Sequence, residues 1–299
     1  MSNLSQFRNN GQTLQVNAGS AAINVGDLLE IGGPGSQAYT AATIDYSISA
    51  PVSTLITQTS LSTYALAGSN RIQLARDRLG NIYEVGSNGS GNLVIYKFGP
   101  TANTTSSAIL DSTATTVNTP RLFQLQNGNY CCVYARSAGA LYFVIFDAAL
   151  NVVAGPTSVA TEYASTNVVY HDAIALTGGG FAIAYQTSAG TAINGITYSN
   201  VGAVVTAAMS IQALVTAAQE FIKIIQLSSG NLVVAYRGTM TISSVAGTYF
   251  NIVSATLAAV AGPTSVDTTA SLGFLELNQL SGFFSIATAL LHKSVYRAN

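Results

Sequence analysis

The sequence has little charge of either sign. Charged residues occupy 8% of its 299 positions, with 11 Lys and Arg against 12 Asp and Glu, whereas about 25% is usual. A protein that neutralises nucleic-acid phosphates or an anionic membrane surface needs a basic patch. The composition therefore argues against both kinds of partner. Weak charge also does little to keep copies of a protein apart, so we expect multiple copies to associate.

Cysteine and histidine are scarce as well. Cys131 and Cys132 are the only cysteines, and adjacent side chains on a strand point to opposite faces, so the two should not bridge each other. His171 and His292 are the only histidines, and their spacing fits no metal-ligand pair. The sequence therefore predicts no disulfide framework, no metal site and no cofactor.

Long apolar runs are also missing. The longest stretch that is both uncharged and fairly apolar, 201–219, is interrupted by Thr206, Ser210, Gln212 and Thr216, whereas a bilayer span needs about 20 mainly apolar residues. The first eleven residues contain no apolar signal core. We therefore expect no membrane span and no secretion signal.

The sequence does contain an internal repeat. Three segments align without gaps and place a leucine and a tyrosine at intervals of 51 residues, at Leu125, Leu176 and Leu227 and at Tyr134, Tyr185 and Tyr236. Weaker copies cover 72–83 and 277–287. Within each copy, short β-branched and aromatic runs flank a Gly-containing turn, a pattern typical of β-hairpins.

A period of about fifty residues with four short strands per unit is typical of a β-propeller blade. The units begin near residues 70, 120, 171 and 222, and a fifth begins near 273 with too few residues for four strands. The sequence therefore predicts an all-β propeller of about five four-stranded blades, with six as the alternative. A strand from 41–49 or 53–57 would complete the last blade and remove an open sheet edge.

Residues 1–40 do not follow the repeat. They predict an N-terminal arm or short β segment, a candidate anchor to a partner, and residues 41–299 form the predicted propeller. An ordinary flexible tail is the alternative interpretation of the arm.

Registering the repeats on Leu125 places charged residues at the start of the innermost strands: Arg121, Asp172, Lys223 and Glu276. Their signs alternate, which predicts ion pairs between neighbouring blades at the rim of a central channel. A glycosidase needs two converging carboxylates, and Asp172 with Glu276 is the weak candidate pair. The ion-pair interpretation is favoured, so no catalytic site is predicted.

Tyrosine is abundant, with 15 copies. The recurring tyrosines of the repeat are predicted to pack inside the blades. Tyr163, Tyr170 and Tyr198 fall in predicted loops, where an aromatic ring can stack on a sugar. They are weak candidates for binding residues.

The polar opening from Met1 to Phe7, the charge-poor composition and the repeated Leu-x-(Asn or Ser)-Gly-Asn motif resemble virion structural proteins of tailed bacteriophages, of the fibre, spike or decoration type. The resemblance implies a non-enzymatic surface protein of the virion, made in the host cytoplasm. Residues 1–60 would contact other virion proteins, and the propeller would bind a host glycan or receptor. The alternatives are a glycan-cleaving propeller enzyme and a bacterial sugar-binding or adhesive propeller.

Overall fold

A computed structural model describes the chain in segments. These are residues 4–9, 12–17, 29–30, 39–40, 73–99, 105–114, 116–136, 140–160, 171–187, 191–214, 221–239, 246–267, 275–280, 283–288 and 293–297. The chain divides into two compact units, Met1–Thr59 and Ser60–Asn299. Every regular element in the described segments is a β-strand. Accordingly, no helix in those segments has the length and apolar character to cross a membrane.

The first unit contains two short antiparallel hairpins. Strand β1 (Leu4–Asn9) pairs with β2 (Gln12–Asn17), and β3 (Leu29–Glu30) pairs with β4 (Tyr39–Thr40). The described residues of the N-terminal segment outside the repeat are therefore β-strands.

The second unit contains five antiparallel sheets, each built from strands that are consecutive in the chain. Blade one comprises β5 (Gln73–Arg76), β6 (Ile82–Ser87), β7 (Leu93–Phe98) and β8 (Thr105–Asp111). Blade two comprises β9 (Val117–Gln124), β10 (Tyr130–Arg136), β11 (Ala140–Phe146) and β12 (Val152–Ala160). Blade three comprises β13 (His171–Ala175), β14 (Phe181–Gln186), β15 (Ala192–Tyr198) and β16 (Val204–Ala213). Blade four comprises β17 (Ile222–Gln226), β18 (Leu232–Thr239), β19 (Ala246–Val253) and β20 (Ala259–Asp267). Blade five comprises β21 (Leu275–Leu280), β22 (Phe283–Thr288) and β23 (Lys293–Arg297).

The first strand of each sheet lies beside the first strand of the next, from β5 through β9, β13 and β17 to β21. The last strands are mostly exposed, as in β12 and β16, whereas the second strands are almost wholly buried. The sheets thus radiate from shared inner strands, which confirms the predicted β-propeller. The segments 41–49 and 53–57, proposed to complete the last blade, lie outside the described residues, so that prediction stays open.

The repeated leucines occupy equivalent turns. The backbone N–H of Gly128, Gly179 and Gly230 donates to the carbonyl oxygen of Leu125, Leu176 and Leu227, respectively, at 2.9–3.0 Å. The repeated tyrosines, Tyr134, Tyr185 and Tyr236, are all buried. The 51-residue interval therefore reflects one blade position repeated three times.

The core consists of separate layers between successive blades. Between blades two and three, the Phe143 and Phe181 rings pack edge to face with centroids 5.1 Å apart, and Phe181 stacks on Tyr198 at 5.1 Å. Cys131 lies in this layer, whereas Cys132 lies in the layer between blades one and two. The two thiols are free and fully buried, as the sequence predicted. Burial raises the pKa of both, so they stay protonated.

Two turn glycines provide a matched test of this architecture. Both have left-handed backbone, with φ +80° at Gly180 and +90° at Gly128. A Cβ at Gly180 would lie 2.0 Å from the carbonyl oxygen of Tyr198, whereas one at Gly128 would meet nothing within 4 Å. We expect Gly128→Ala to lower the free energy of unfolding by about 1–2 kcal/mol through backbone strain alone. Gly180→Ala should cost at least about 2 kcal/mol more, because of the clash.

Urea unfolding followed by fluorescence measures both values. Equal losses for the two glycine variants would contradict the hairpin register described for blade three.

Candidate functional site

The antiparallel order gives the propeller two distinct faces. The turns between first and second strands lie together on one face, which we call the turn face. The first strands begin at the opposite face, which we call the start face, and the second strands end there, because Arg136 pairs with Val117. Side chains at the two ends of an inner strand therefore lie on opposite faces of the propeller.

Two of the predicted rim residues, Arg121 in β9 and Asp172 in β13, form an ion pair between inner strands. Arg121 Nε donates to Asp172 Oδ1 at 2.8 Å, and the two side chains are 12% and 13% exposed. The backbone N–H of Ile224 donates to Asp172 Oδ2 at 3.1 Å. Asp172 thus connects the inner strands of blades two, three and four.

Burial raises the pKa of Asp172, while the positive charges of Arg121 and Lys223 and the hydrogen bond from Ile224 act in the opposite direction. Lys223 therefore acts electrostatically on this carboxylate, in line with the alternating signs. Glu276 lies in β21 with its backbone opposite Ala287, but its side chain is not among those described. Its roles as a rim residue and as a catalytic carboxylate stay predictions.

Of the predicted binding tyrosines, Tyr198 lies within the described residues. Tyr198 ends strand β15 and is 3% exposed, because its ring lies in the core between Phe143 and Phe181. It does not lie in a loop and offers no surface to a ligand, which corrects its assignment as a candidate binding residue. Tyr163 and Tyr170 lie outside the described residues and stay predictions.

A cleft of about 550 Å³ opens on the turn face. Its walls come from three blades, including Asp77, Arg78 and Leu79 of blade one, Gln124 and Tyr130 of blade two, and Thr177 of blade three. Arg78, Gln124 and Thr177 are exposed. This site was not predicted from the sequence, because its residues belong to turns that meet only when the blades pack side by side.

Hydrogen bonds fix the polar walls of the cleft. Gln124 Nε2 lies 3.3 Å from both the Gly128 carbonyl oxygen and the Tyr130 hydroxyl. Gln126 Nε2 donates to the Thr177 carbonyl oxygen at 2.8 Å. The Thr177 N–H in turn donates to Gln226 Oε1 at 2.7 Å. The glutamines therefore hold neighbouring turns together and order the side chains around the opening.

Asp77 is the carboxylate of the cleft. Its Oδ1 accepts the backbone N–H of Leu79 at 2.9 Å and of Asn81 at 2.8 Å. Burial acts to raise the pKa of Asp77, but these bonds and those from the Asn81 amide and the Tyr83 hydroxyl outweigh it and lower the pKa. Asp77 therefore stays ionised at neutral pH, and its four hydrogen bonds hold the turn that forms this wall of the cleft.

The Arg121–Asp172 pair can be tested by a double-mutant cycle. Asp172→Asn keeps an acceptor for the Ile224 N–H but leaves the Arg121 charge without its partner, so we expect the free energy of unfolding to fall by about 3 kcal/mol. Adding Arg121→Met to this variant removes the unpaired charge and should restore part of the loss.

Urea titrations of the wild type, both single variants and the double variant give the coupling energy. If the two single losses simply added in the double variant, the pair would have no energetic role.

No family model and no curated protein matches the sequence. The chain is similar in fold to the Aleuria aurantia lectin in complex with Fucα1-6GlcNAc, with 13% identity, a TM-score of 0.53, and coverage of 78% of this chain and 77% of the lectin. It is also similar to the α-L-arabinofuranosidase Arb93a from Fusarium graminearum, with 9% identity, a TM-score of 0.49, and coverage of 73% and 74%. A third similar structure is the endo-arabinase from Bacteroides thetaiotaomicron, with 12% identity, a TM-score of 0.42, and coverage of 77% and 94%.

These similarities correct the leading functional expectation from the sequence. The structures named here are a lectin and glycan-cleaving enzymes, and none is a phage protein. The expectation of a non-enzymatic virion surface protein is therefore wrong by this comparison, and the alternatives of a glycan-cleaving or sugar-binding propeller are favoured. The comparisons do not test the bacteriophage resemblance, the virion location or the contacts of residues 1–60, which stay predictions. The chain shares its β-propeller fold with the Aleuria aurantia lectin.

Proposed function

We propose that this protein is a carbohydrate-binding β-propeller that holds a glycan in the turn-face cleft. The observation that carries the proposal is the cleft itself, an opening of about 550 Å³ with ordered polar walls from three blades. Small-molecule sites typically occupy about 300–1,000 Å³. The cleft therefore has a suitable size for one or two sugar rings.

The chemistry of the walls suits a polyhydroxylated ligand. Sugar hydroxyls both donate and accept hydrogen bonds, so they need a mixed set of partners. The Gln124 amide offers both kinds of group and the Arg78 guanidinium donates. Leu79 is 79% exposed in the wall and provides an apolar contact for the C–H groups of a sugar ring.

The environments of the described carboxylates favour binding of a glycan without cleavage. Glycoside hydrolysis normally uses two carboxyl groups, one on each side of the scissile bond. Both oxygens of Asp172 are engaged by Arg121 and Ile224, and Asp172 does not line the cleft. At the cleft, Asp77 has a lowered pKa, the opposite of what a general acid needs.

The fold similarity to a lectin supports the proposal at the level of architecture only, because one fold hosts many functions. The site residues are argued from the cleft of this chain.

Removing the cleft guanidinium tests the proposal. We expect the wild type to bind glycans on an array and Arg78→Ala to weaken that binding about 10- to 100-fold, because a charge-assisted hydrogen bond contributes about 1.5–3 kcal/mol. Arg76→Ala is the matched control, since Arg76 is exposed two residues earlier and does not line the cleft. Calorimetry with the best glycan gives the affinities.

Equal losses in Arg78→Ala and Arg76→Ala would indicate general electrostatics and contradict the cleft site. A wild type that binds no glycan would overturn the proposed function.

The cleaving alternative has its own test. We expect incubation with the bound oligosaccharide to release no new reducing ends over the time in which a glycosidase would turn over many times. Release of reducing ends that is lost in Asp172→Asn or Glu276→Gln would establish the enzyme alternative instead.

A further inference from the structure

A second, smaller pocket of about 280 Å³ lies at the start face where blades one and two meet. We call it the start-face pocket. Its walls are Ile109 to Thr113 at the end of β8, Arg136 at the end of β10 and Pro156 in β12. It shares no lining residue with the turn-face cleft, so the two openings are independent.

The guanidinium of Arg136 is held in one orientation. Its Nε donates to Asp111 Oδ2 at 2.8 Å, and its Nη2 donates to the same oxygen and to Thr113 Oγ1, the latter at 2.9 Å. The guanidinium carbon lies 3.8 Å from the centroid of the Tyr142 ring. One edge and one face of the group are thus occupied, so the remaining Nη1 has a fixed direction.

Asp111 is buried and accepts several hydrogen bonds that hold this arrangement. Its side chain is 1% exposed, and it also accepts the Tyr134 hydroxyl at 2.5 Å and the Thr113 N–H at 3.0 Å. The carboxylate balances the charge of Arg136 and leaves the group nearly neutral. An uncharged acceptor therefore suits the site better than an anion, which would be repelled by Asp111.

The repeat does not require Arg136. Two residues beyond the recurring tyrosine, blade two has Arg136, whereas blades three and four have Thr187 and Gly238. The position of Asp111 is occupied by Ala160 in blade two, Gln212 in blade three and Asp267 in blade four. The aspartate therefore recurs once, but the arginine does not recur in blades three and four, so packing of the repeat does not explain Arg136.

The chemistry left in the pocket is a pair of N–H donors beside an apolar wall. No described residue accepts a hydrogen bond from Arg136 Nη1. Ile109 is 54% exposed and, with Pro156, provides apolar surface next to these donors. A fitting ligand group therefore combines a neutral carbonyl oxygen with a methyl group.

We propose that the start-face pocket binds the acetamido group of an N-acetylated sugar, with its carbonyl oxygen accepting from Arg136 Nη1 and its methyl group against Ile109 and Pro156. The inference rests on the proposed function only in taking the ligand to be a sugar. It adds a second site with its own selectivity on the opposite face of the propeller.

Titration of the full chain with free monosaccharides, followed by NMR chemical shifts, tests the proposal. We expect N-acetylglucosamine to bind at least 10-fold more tightly than glucosamine or glucose, with little dependence on salt because the ligand is uncharged. Arg136→Lys removes Nη1 and should weaken the binding of N-acetylglucosamine at least 10-fold. Equal affinity for the three sugars, or no binding of N-acetylglucosamine, would overturn the proposal.

A second variant leaves the buried Asp111 network intact. Ile109→Ser changes an exposed side chain and should weaken binding several-fold through the lost methyl contact, whereas Ile82→Ser, at a residue 41% exposed outside the pocket, should not. Unchanged affinity in Ile109→Ser would contradict the assigned wall.

The proposals for the two sites can be tested separately. Arg78→Ala should leave the binding of N-acetylglucosamine at the start-face pocket unchanged, and Arg136→Lys should leave binding at the turn-face cleft unchanged. If Arg78→Ala weakened the binding of N-acetylglucosamine and Arg136→Lys did not, the result would support the proposed function and reject this inference.

Discussion

The structure depends on the burial of each sheet against its neighbours. With 8% charged residues, the chain relies on apolar and aromatic layers, such as the one formed by Phe143, Phe181 and Tyr198 between blades two and three. A four-stranded blade alone leaves both faces open to water and is not a stable unit. The blades therefore stabilise one another, and their order in space follows their order in the chain.

Polar contacts connect neighbouring blades at several levels. Asp172 connects the inner strands of three blades, the glutamines at positions 126 and 226 connect neighbouring turns, and Arg136 contacts Asp111 of blade one. Apolar layers fill most of the space between the blades. The layers keep the fold while turns and strand ends are free to vary in chemistry, which is how a propeller accommodates different ligands.

The sequence was most informative where the structure repeats. Leu125, Leu176 and Leu227 predicted the blades because each meets the same surroundings, and the same register placed Arg121 beside Asp172. It was least informative where function is proposed, because the cleft and the Asp111–Arg136 pair each combine residues of different blades. Tyr198 was misassigned to a loop because its strand extends to the tyrosine, and strand ends are poorly marked by local pattern.

The adjacent cysteines have a practical consequence for folding studies. Cys131 and Cys132 face opposite sides of the sheet of blade two, so each thiol is shielded by a different neighbour, blade three for one and blade one for the other. A thiol reagent can reach either sulfur only when the corresponding pair of blades separates or blade two itself opens. Two single-cysteine variants would thus act as independent reporters of which seam of the propeller opens first, without any added label in the native state.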